Sequence, residues 1–398
     1  MLIAVGKKLT VGGGHESTQI AALRALVGEH ELLVVTEQGY VAPDLVEAPT
    51  SVRTVLSDWH YQVSRPDQAI EQDVTALHAL LTSPEITTGP RPGVVIPTAA
   101  AHDIRVCLLL LERAPKIARF CLRILCEDIL EPLNETELSA LRQHIASGSV
   151  WLTTETASLS RRLAAHHGLT ATDDFVLPCT VLPDDPLPPE TAETFNMPAG
   201  ARRIRVGYLG GLRREKGFWL IPRIIGQLSA LLRRSAPDIQ VEVLIAQHNR
   251  KRRRIGRLWF DFCLWRSSRG WQGNRRGVTV TRTPAIQTSA EFKALLASTD
   301  LLLLPYNLAR YRFRGSGVIL DGVLAQKPFV YTDGIGMDDL LSFGNAEPAV
   351  SAQEFAASIL KIVRQSEGYQ SSAAAARKAV IERFGHTAQM LQRLLVCT

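Results

Sequence analysis

Residues 300–333, DLLLLPYNLARYRFRGSGVILDGVLAQKPFVYTD, carry strand and helix signals in close succession. A run of four leucines comes first, a glycine-rich turn and an apolar stretch of helical length follow, and a second apolar run comes last. Short apolar runs bounded by turn residues predict buried strands. A strand, a helix and a second strand in this order predict the βαβ unit of a parallel sheet.

The same alternation extends over most of the chain. The predicted strands of the first half are LIAVG, ELLVVT, GVVIPT, FCLRILC, SVWLTT and DFVLPC. Those of the second half are RIRVGYLG, IQVEVLIA, VTVTRT, DLLLLPY and KPFVYTD, and helix-length stretches separate several of them. The sequence therefore predicts an α/β fold class, with two doubly wound Rossmann-like domains that face each other across a cleft.

A proline-rich segment with little apolar periodicity separates the two halves and predicts a linker at residues 179–201. The N-terminal Rossmann-like domain is accordingly expected at 1–178. The C-terminal one is expected at 202–380, with an insertion at 248–277. Residues 381–398 predict a C-terminal helix that could pack back on the N-terminal domain.

The composition is typical of a globular protein. Of the 398 residues, 46% are hydrophobic and 21% are charged. No run reaches the roughly 18 uncharged apolar residues of a membrane-spanning helix, and the N-terminal apolar run is too short for a signal peptide. The six cysteines show neither disulfide nor zinc spacing, which indicates reduced thiols and a cytoplasmic location.

Three glycine-rich turns each follow a predicted strand and precede a predicted helix. They are VGGGHES at Val11–Ser17, GYLGGLRREKG at Gly207–Gly217, and the turn Gly315–Gly317. Glycines let the backbone approach a ligand closely, and the N–H groups of a helix N-terminus bind anions. A plain turn explains the first of the three about equally well.

Cations accompany the second turn, and an acid follows the third. Arg213, Arg214 and Lys216 stand near a helix N-terminus, where the macrodipole disfavours cations unless an anion is bound. Such cations can neutralise a leaving diphosphate; the alternative is a solvated basic helix start. Asp321, four residues after Gly317, could accept hydrogen bonds from a ribose diol or simply stabilise the helix N-terminus.

His102 and Asp103 follow the predicted strand GVVIPT, at a position expected to face the cleft. His102 could therefore contact hydroxyl groups of a substrate, or it could cap its helix without any chemical role. No pair of acids has the DXD-type placement that would hold a metal, so no metal site is predicted.

More than the whole net charge of +6 comes from residues 250–276. This segment holds ten Lys or Arg and one acid, a local charge of +9 that leaves −3 for the rest of the chain. Apolar residues recur in it at helical spacing, so it predicts a basic amphipathic helix. The residues expected to contact a membrane or a partner are Arg253, Arg254, Arg257, Trp259, Phe262 and Trp265.

Three explanations of this basic segment remain open. A basic amphipathic helix rich in tryptophan is typical of an anchor that lies on an anionic membrane surface. Its apolar face could instead pack on its own domain or on a second subunit. Nucleic-acid binding is the least favoured of the three, because no nucleic-acid motif accompanies the charge.

The chain resembles the GT-B glycosyltransferases, most closely those of the retaining family four, also called group 1. The resemblance rests on VGGGHESTQIAALRALVGEHELLVVT, VLPCTVLP, VGYLGGLRREKG and STDLLLLPYNLARYRFRGSGVILDGVLAQKPFVYTD, of which the last is the most specific. It implies an enzyme of the polysaccharide-biosynthesis type. Together with the basic segment at residues 250–276, the expected location is cytoplasmic, either free or on the cytoplasmic face of a membrane. Such an enzyme moves a sugar with retention, without an obligatory metal or other cofactor. Its nucleotide-diphosphate-sugar donor binds the second domain, and its carbohydrate or lipid-linked acceptor binds the first.

The resemblance also implies roles for individual residues. Lys216 would contact the donor phosphates, and Asp321 stands where the family has a ribose-binding glutamate. Two departures are Gly211, where the family has an arginine, and Phe313, where it has a glutamate that places the donor sugar. The predicted catalytic residues are His102, Lys216 and Arg213. The predicted donor-binding residues are Gly12, Gly13, Gly14, Gly210, Gly211, Lys216, Arg314, Gly315, Ser316, Gly317 and Asp321.

Other functions remain open on the same sequence. One is a nucleotide-sugar epimerase or hydrolase on the same two-domain frame. Another is a non-catalytic, membrane-associated subunit that resembles a glycosyltransferase, which the departures at Gly211 and Phe313 suggest.

Overall fold

The structure, a computed structural model, describes residues 1–6, 15–28, 30–37, 50–57, 67–185, 202–247, 277–285 and 288–396. The chain divides into two compact units. Unit 1 comprises Met1–Cys179, Phe313–Gly315 and Ile381–Thr398, and unit 2 comprises Thr180–Arg312 and Ser316–Val380.

Unit 1 contains a six-stranded sheet within its described residues. The strands are β1 (Leu2–Val5), β2 (Leu32–Glu37), β3 (Thr50–Leu56), β4 (Gly93–Ile96), β5 (Arg119–Ile124) and β6 (Val150–Thr154). Their order is β3-β2-β1-β4-β5-β6, and every neighbouring pair is parallel. The helices are α1 (His15–Val27), α2 (Asp67–Leu81), α3 (Pro84–Thr87), α4 (Ala101–Arg113), α5 (Glu135–Ala146) and α6 (Ala157–His167).

Unit 2 contains a second six-stranded parallel sheet, again counted over the described residues. Its strands are β7 (Arg202–Tyr208), β8 (Ile239–Gln247), β9 (Val278–Ala285), β10 (Leu301–Leu304), β11 (Phe329–Thr332) and β12 (Ala346–Ala349). Their order is β12-β11-β10-β7-β8-β9. The helices are α7 (Ile221–Ser235), α8 (Ser289–Ala297), α9 (Leu308–Tyr311), α10 (Gly317–Leu324), α11 (Asp338–Leu341), α12 (Ala352–Arg364) and α13 (Ser366–Val396). Residues of α13 from Ile381 onward belong to unit 1.

The apolar patterns of the sequence explain this architecture. Strand β10 consists of four leucines, all buried. Helices cover both faces of a parallel sheet, so such a strand is a continuous apolar run instead of an alternating one. Helix α7 shows the complementary pattern, because Ile224, Leu228 and Leu232 are buried along one stripe while Arg223 is exposed. A surface helix packs through one such stripe.

The predicted α/β fold class with two Rossmann-like domains is confirmed. In each sheet the strand order reverses between the two central strands, β1 and β4 in unit 1 and β7 and β10 in unit 2. This is the strand order of a doubly wound Rossmann sheet, which binds ligands at the carboxyl ends of the strands where the order reverses.

The strand predictions fail in three places. The stretch DFVLPC is not a strand. Its Val176 N–H donates to Thr387 Oγ1 of α13 at 2.9 Å, whereas a residue in a sheet would donate to a neighbouring strand. Strands β3 and β12 were not predicted. Both lie at sheet edges, where polar residues such as Arg53 and a proline such as Pro348 are tolerated.

The predicted domain boundaries stay predictions. Residues 186–201 of the linker, 248–276 of the insertion and the Gly12–Gly14 turn lie outside the described residues.

In unit 1, Leu394 of α13 packs against Gly93 of β4 so closely that a Cβ on Gly93 would come 2.8 Å from Leu394 Cγ. None of the helices in the described residues has the length and apolar character that crossing a bilayer requires.

Candidate functional site

The site in unit 2 lies where the strand order reverses, after the carboxyl ends of β7 and β10. Residues 209–217 follow β7, and Pro305 and Tyr306 follow β10. The two segments meet at Lys216, whose Nζ donates to Tyr306 Oη at 3.0 Å. The second glycine-rich turn of the sequence is therefore at the position in the fold where ligands bind.

Lys216 is a buried cation. Its side chain is 4% exposed, and its Nζ also lies 3.4 Å from Ser316 Oγ. The ammonium lies 4.6 Å from the ring centroid of Tyr306 and 5.7 Å from that of Tyr311. Burial raises the pKa of both phenols, so at neutral pH they are uncharged hydroxyl groups. Burying an ammonium is costly, and an anion beside it would offset that cost.

Glycines shape the space that Lys216 occupies. Gly217 ends the 3-10 turn Arg214–Lys216 with φ +71°, and a Cβ there would fall 1.6 Å from the carbonyl oxygen of Pro305. A Cβ on Gly210 would lie 2.5 Å from Lys216 Cδ. Position 217 requires glycine because its backbone passes very close to that of Pro305, whereas a side chain at position 210 would displace the Lys216 side chain. Gly210, predicted to bind the donor, thus has a packing role against the lysine side chain.

Ser316 connects this lysine to a helix N-terminus. It is the N-cap of α10, yet its side chain does not cap that helix, and its Oγ lies 3.2 Å from Tyr306 Oη. Helix α10 begins at Gly317. The positive end of a helix dipole and a buried ammonium therefore lie on either side of one serine, which is an arrangement that attracts anions.

Asp321, in α10, has hydrogen-bond partners within the protein. Its carboxylate is buried, and Oδ1 accepts hydrogen bonds from the backbone N–H groups of Thr180 at 2.8 Å and Val181 at 2.9 Å. Asp321 therefore holds the first residues of unit 2 against α10. A ribose could use the same oxygen only if these bonds broke, so the ribose role stays a prediction.

The buried Asp321 makes stability depend on pH. Burial raises the pKa of its carboxyl from 3.8 to about 6, although the hydrogen bonds from Thr180 and Val181 oppose the rise. A group whose pKa is higher in the folded chain contributes stability that is complete below the unfolded pKa and is lost as pH rises through the folded pKa. Relative to Asp321→Asn, the free energy of unfolding of the wild type should therefore fall by up to about 3 kcal/mol between about pH 4 and pH 7.

Urea titrations of both proteins across that range measure the difference. The asparagine oxygen can still accept both backbone N–H groups, so the variant is expected to fold. If the stability of the wild type relative to Asp321→Asn stays constant, or rises with pH, the result contradicts this titration of Asp321.

Arg213 and Gly211 are near Lys216 in sequence but have other contacts. The Arg213 side chain is half exposed, and its Nε lies 3.5 Å from Glu215 Oε1. Gly211 has φ +72°, and its carbonyl oxygen accepts a hydrogen bond from the buried Tyr208 hydroxyl at 2.8 Å. The catalytic role of Arg213 and the donor-binding role of Gly211 stay predictions. The hydrogen bond from Tyr208 holds the backbone of this turn in place.

Residues Phe313–Gly315 group with unit 1. The Phe313 carbonyl oxygen accepts a hydrogen bond from Thr156 Oγ1 at 3.2 Å, and the Arg162 guanidinium lies 4.6 Å from the centroid of its ring. Arg314 Nη2 lies 3.5 Å from Cys126 Sγ. Phe313 thus has a packing role at the position where the resemblance implies a glutamate, and the donor-binding roles of Arg314 and Gly315 stay predictions.

His102 lines a pocket of unit 1. Its Nε2 is 2.8 Å from Asp73 Oδ2, and Asp73 Oδ1 accepts hydrogen bonds from both the N–H and the hydroxyl of Ser57. Burial would raise the pKa of Asp73, but the hydrogen bonds from His102 and Ser57 outweigh it and lower that pKa. The pocket is lined by Val5, Glu37, Leu56, Ser57, Asp73, Leu77, Ile96, His102, Asp103 and Val106.

This pocket occupies the place in unit 1 where the strand order reverses, because Val5 ends β1 and Ile96 ends β4. The sequence pointed to His102 but gave no sign of Asp73 or Ser57, which come from α2 and from the end of β3. The predicted donor residues Gly12, Gly13 and Gly14 and the six basic-segment residues named above lie outside the described residues.

Comparison with known proteins identifies the fold. No protein-family model matches the chain, and no curated protein matches its sequence. A glycosyltransferase from Rickettsia africae is 13% identical, with a TM-score of 0.64 over 100% of this chain and 99% of that one. Sucrose-phosphate synthase from Thermosynechococcus elongatus is 15% identical, with a TM-score of 0.65 over 99% and 98%.

A third structure, Anabaena HepE in complex with UDP, is 16% identical, with a TM-score of 0.63 over 100% of both chains. At such identities the likeness concerns the fold alone. The chain has the fold of the GT-B glycosyltransferases, which consists of two Rossmann-like domains.

Proposed function

We propose that the protein is a glycosyltransferase that moves a sugar from a nucleotide-diphosphate-sugar to a carbohydrate or lipid-linked acceptor. The observation that carries this proposal is the buried Lys216 beside Ser316 at the N-terminus of α10. The fold supports it, because the chain resembles the structure of a glycosyltransferase and that of HepE in complex with UDP. The diphosphate of the donor is the group that this site of unit 2 would bind.

The proposed reaction follows from the charge of the site. The bond between the anomeric carbon and the phosphate oxygen breaks, and the diphosphate leaves with the bonding electrons. The acceptor oxygen forms the new bond and passes its proton to the leaving group. Lys216 and the amides at the start of α10 stabilise the negative charge as it develops. Retention of configuration and independence of metal are parts of the proposal.

Incubation with UDP-, GDP-, ADP- and TDP-sugars, followed by product analysis, tests this function. We expect release of one nucleoside diphosphate, faster with an acceptor than without, and unchanged by EDTA. NMR of the product should show the anomeric configuration of the donor. Release that no acceptor accelerates would instead favour a hydrolase, and an altered sugar on an intact nucleotide would favour an epimerase. If no donor is bound or consumed, the proposal fails.

The proposal extends to an anionic membrane surface as a partner of residues 250–276. The charge of +9 and the three tryptophans of this segment support it. Co-sedimentation with phosphatidylserine vesicles should be strong at low salt and lost in Arg253→Gln/Arg254→Gln/Arg257→Gln, while phosphatidylcholine vesicles serve as control. Equal binding to both vesicle types, or a change in oligomeric state without vesicle binding, would favour packing on a second subunit.

A further inference from the structure

Met337 lies beside an amide of the proposed diphosphate site. The Ser316 N–H donates to Met337 Sδ, with a distance of 3.0 Å between nitrogen and sulfur, and both residues are buried. A thioether sulfur is a weak acceptor, whereas phosphate oxygens form strong, charge-assisted hydrogen bonds. The contact therefore satisfies a buried N–H group without holding it tightly.

Met337 Sδ is the acceptor that a phosphate oxygen would have to replace at the Ser316 N–H group. Ser316 Oγ contacts Lys216 and Tyr306, so it does not cap α10. The loop that carries Met337 is fixed by its backbone, because the Gly336 N–H donates to the Tyr311 carbonyl at 2.8 Å. A methionine side chain has three rotatable bonds, so it can leave the amide while the loop backbone stays in place.

We propose that the diphosphate of the donor, when it binds, displaces the Met337 sulfur from the Ser316 N–H group. This inference rests on the proposed function, since it concerns the same site. Residue 337 then sets nucleotide affinity, because binding exchanges one acceptor of the Ser316 N–H for another. The stronger the acceptor at position 337, the less affinity the protein gains when a phosphate oxygen replaces it.

Two variants change this acceptor in opposite directions. Met337→Leu keeps a similar volume but has no acceptor, so the N–H of the empty protein loses its partner and nucleotide binding should tighten about fivefold. Met337→Gln offers a stronger carbonyl acceptor at similar length, so binding should weaken about fivefold or more. Calorimetric titration with UDP, and with GDP, ADP and TDP if UDP does not bind, gives the affinities.

Met390→Leu and Met390→Gln are matched controls, because Met390 is partly buried in unit 1. We expect their affinities to stay within about twofold of the wild type. NMR of the methionine methyl groups in the wild type gives a second readout. The spectrum of Met337→Leu, which lacks one signal, identifies the signal of Met337. At saturating nucleotide this signal should shift more than that of Met390.

The outcomes separate this inference from the function on which it rests. If the wild type binds a nucleoside diphosphate but both Met337 variants bind it within about twofold of the wild type, Met337 is only a packing residue. An unmoved Met337 methyl signal at saturation has the same meaning. If the wild type binds none of the four nucleotides, the proposed function itself fails.

Discussion

Lys216→Met is expected to lower kcat/KM for sugar transfer by about 10²- to 10³-fold. Removal of one preorganised group that stabilises developing charge typically has an effect of this size. Methionine retains most of the methylene stem that packs against Gly210, so the variant removes the charge and the hydrogen bonds to Tyr306 and Ser316 but little packing. Steady-state kinetics with the donor identified by product analysis measure the change.

Stability should respond in the opposite sense. A buried ammonium is expensive to desolvate, so its replacement by an apolar side chain should leave the melting temperature unchanged or raise it. Lys361→Met is the matched control, because Lys361 lies at the surface on α12 and pairs with Glu347. It should leave kcat/KM unchanged. Full transfer activity in Lys216→Met, with a normal melting temperature, would contradict the catalytic role of Lys216.

Gly217→Ala is expected to destabilise the protein by about 3 to 5 kcal/mol, which is at the upper end for single substitutions. The position has φ +71°, where an L-residue is strained, and the new Cβ would fall 1.6 Å from the Pro305 carbonyl oxygen. The segment after β7 would have to separate from the segment after β10. Because this contact holds Lys216 against Tyr306, nucleotide binding should be lost together with stability.

The control is the same chemical change at an open position. Gly226 lies inside α7, and a Cβ there would meet nothing within 4 Å. Gly226→Ala should therefore stabilise the protein by about 0.5 to 1 kcal/mol, through helix propensity. Thermal unfolding followed by circular dichroism compares the two variants. A melting temperature for Gly217→Ala close to that of Gly226→Ala would refute the packing described around Gly217.

The sequence could predict the features that depend on local order along the chain. Strand, glycine-rich turn and helix are adjacent in sequence, so the segments that carry Lys216 and Ser316 were found from sequence alone. The contact between them was not, since a parallel sheet brings the ends of β7 and β10 together through strands that are distant in sequence. The reason for a glycine at position 217 is likewise visible only in the structure, where its backbone lies close to the Pro305 carbonyl oxygen.

Partners that come from other elements escaped prediction for the same reason. Asp73 meets His102 from α2, and nothing in its local sequence distinguishes it from an ordinary helix residue. Asp321 was predicted to bind a ribose or to stabilise its helix N-terminus, because it follows that terminus in the sequence. Its buried position is set by Thr180 and Val181, about 140 residues earlier in the chain. Met337, finally, is recognisable as a partner of Ser316 only from the fold.

Calorimetric titration of UDP, GDP, ADP and TDP into the wild type and into Lys216→Met tests the assignment of the diphosphate site. At least one of the four nucleotides should bind the wild type with one site per chain, and Lys216→Met should bind that nucleotide about 50-fold more weakly or worse. Absence of binding to the wild type, or equal affinity in the two proteins, would contradict the assignment.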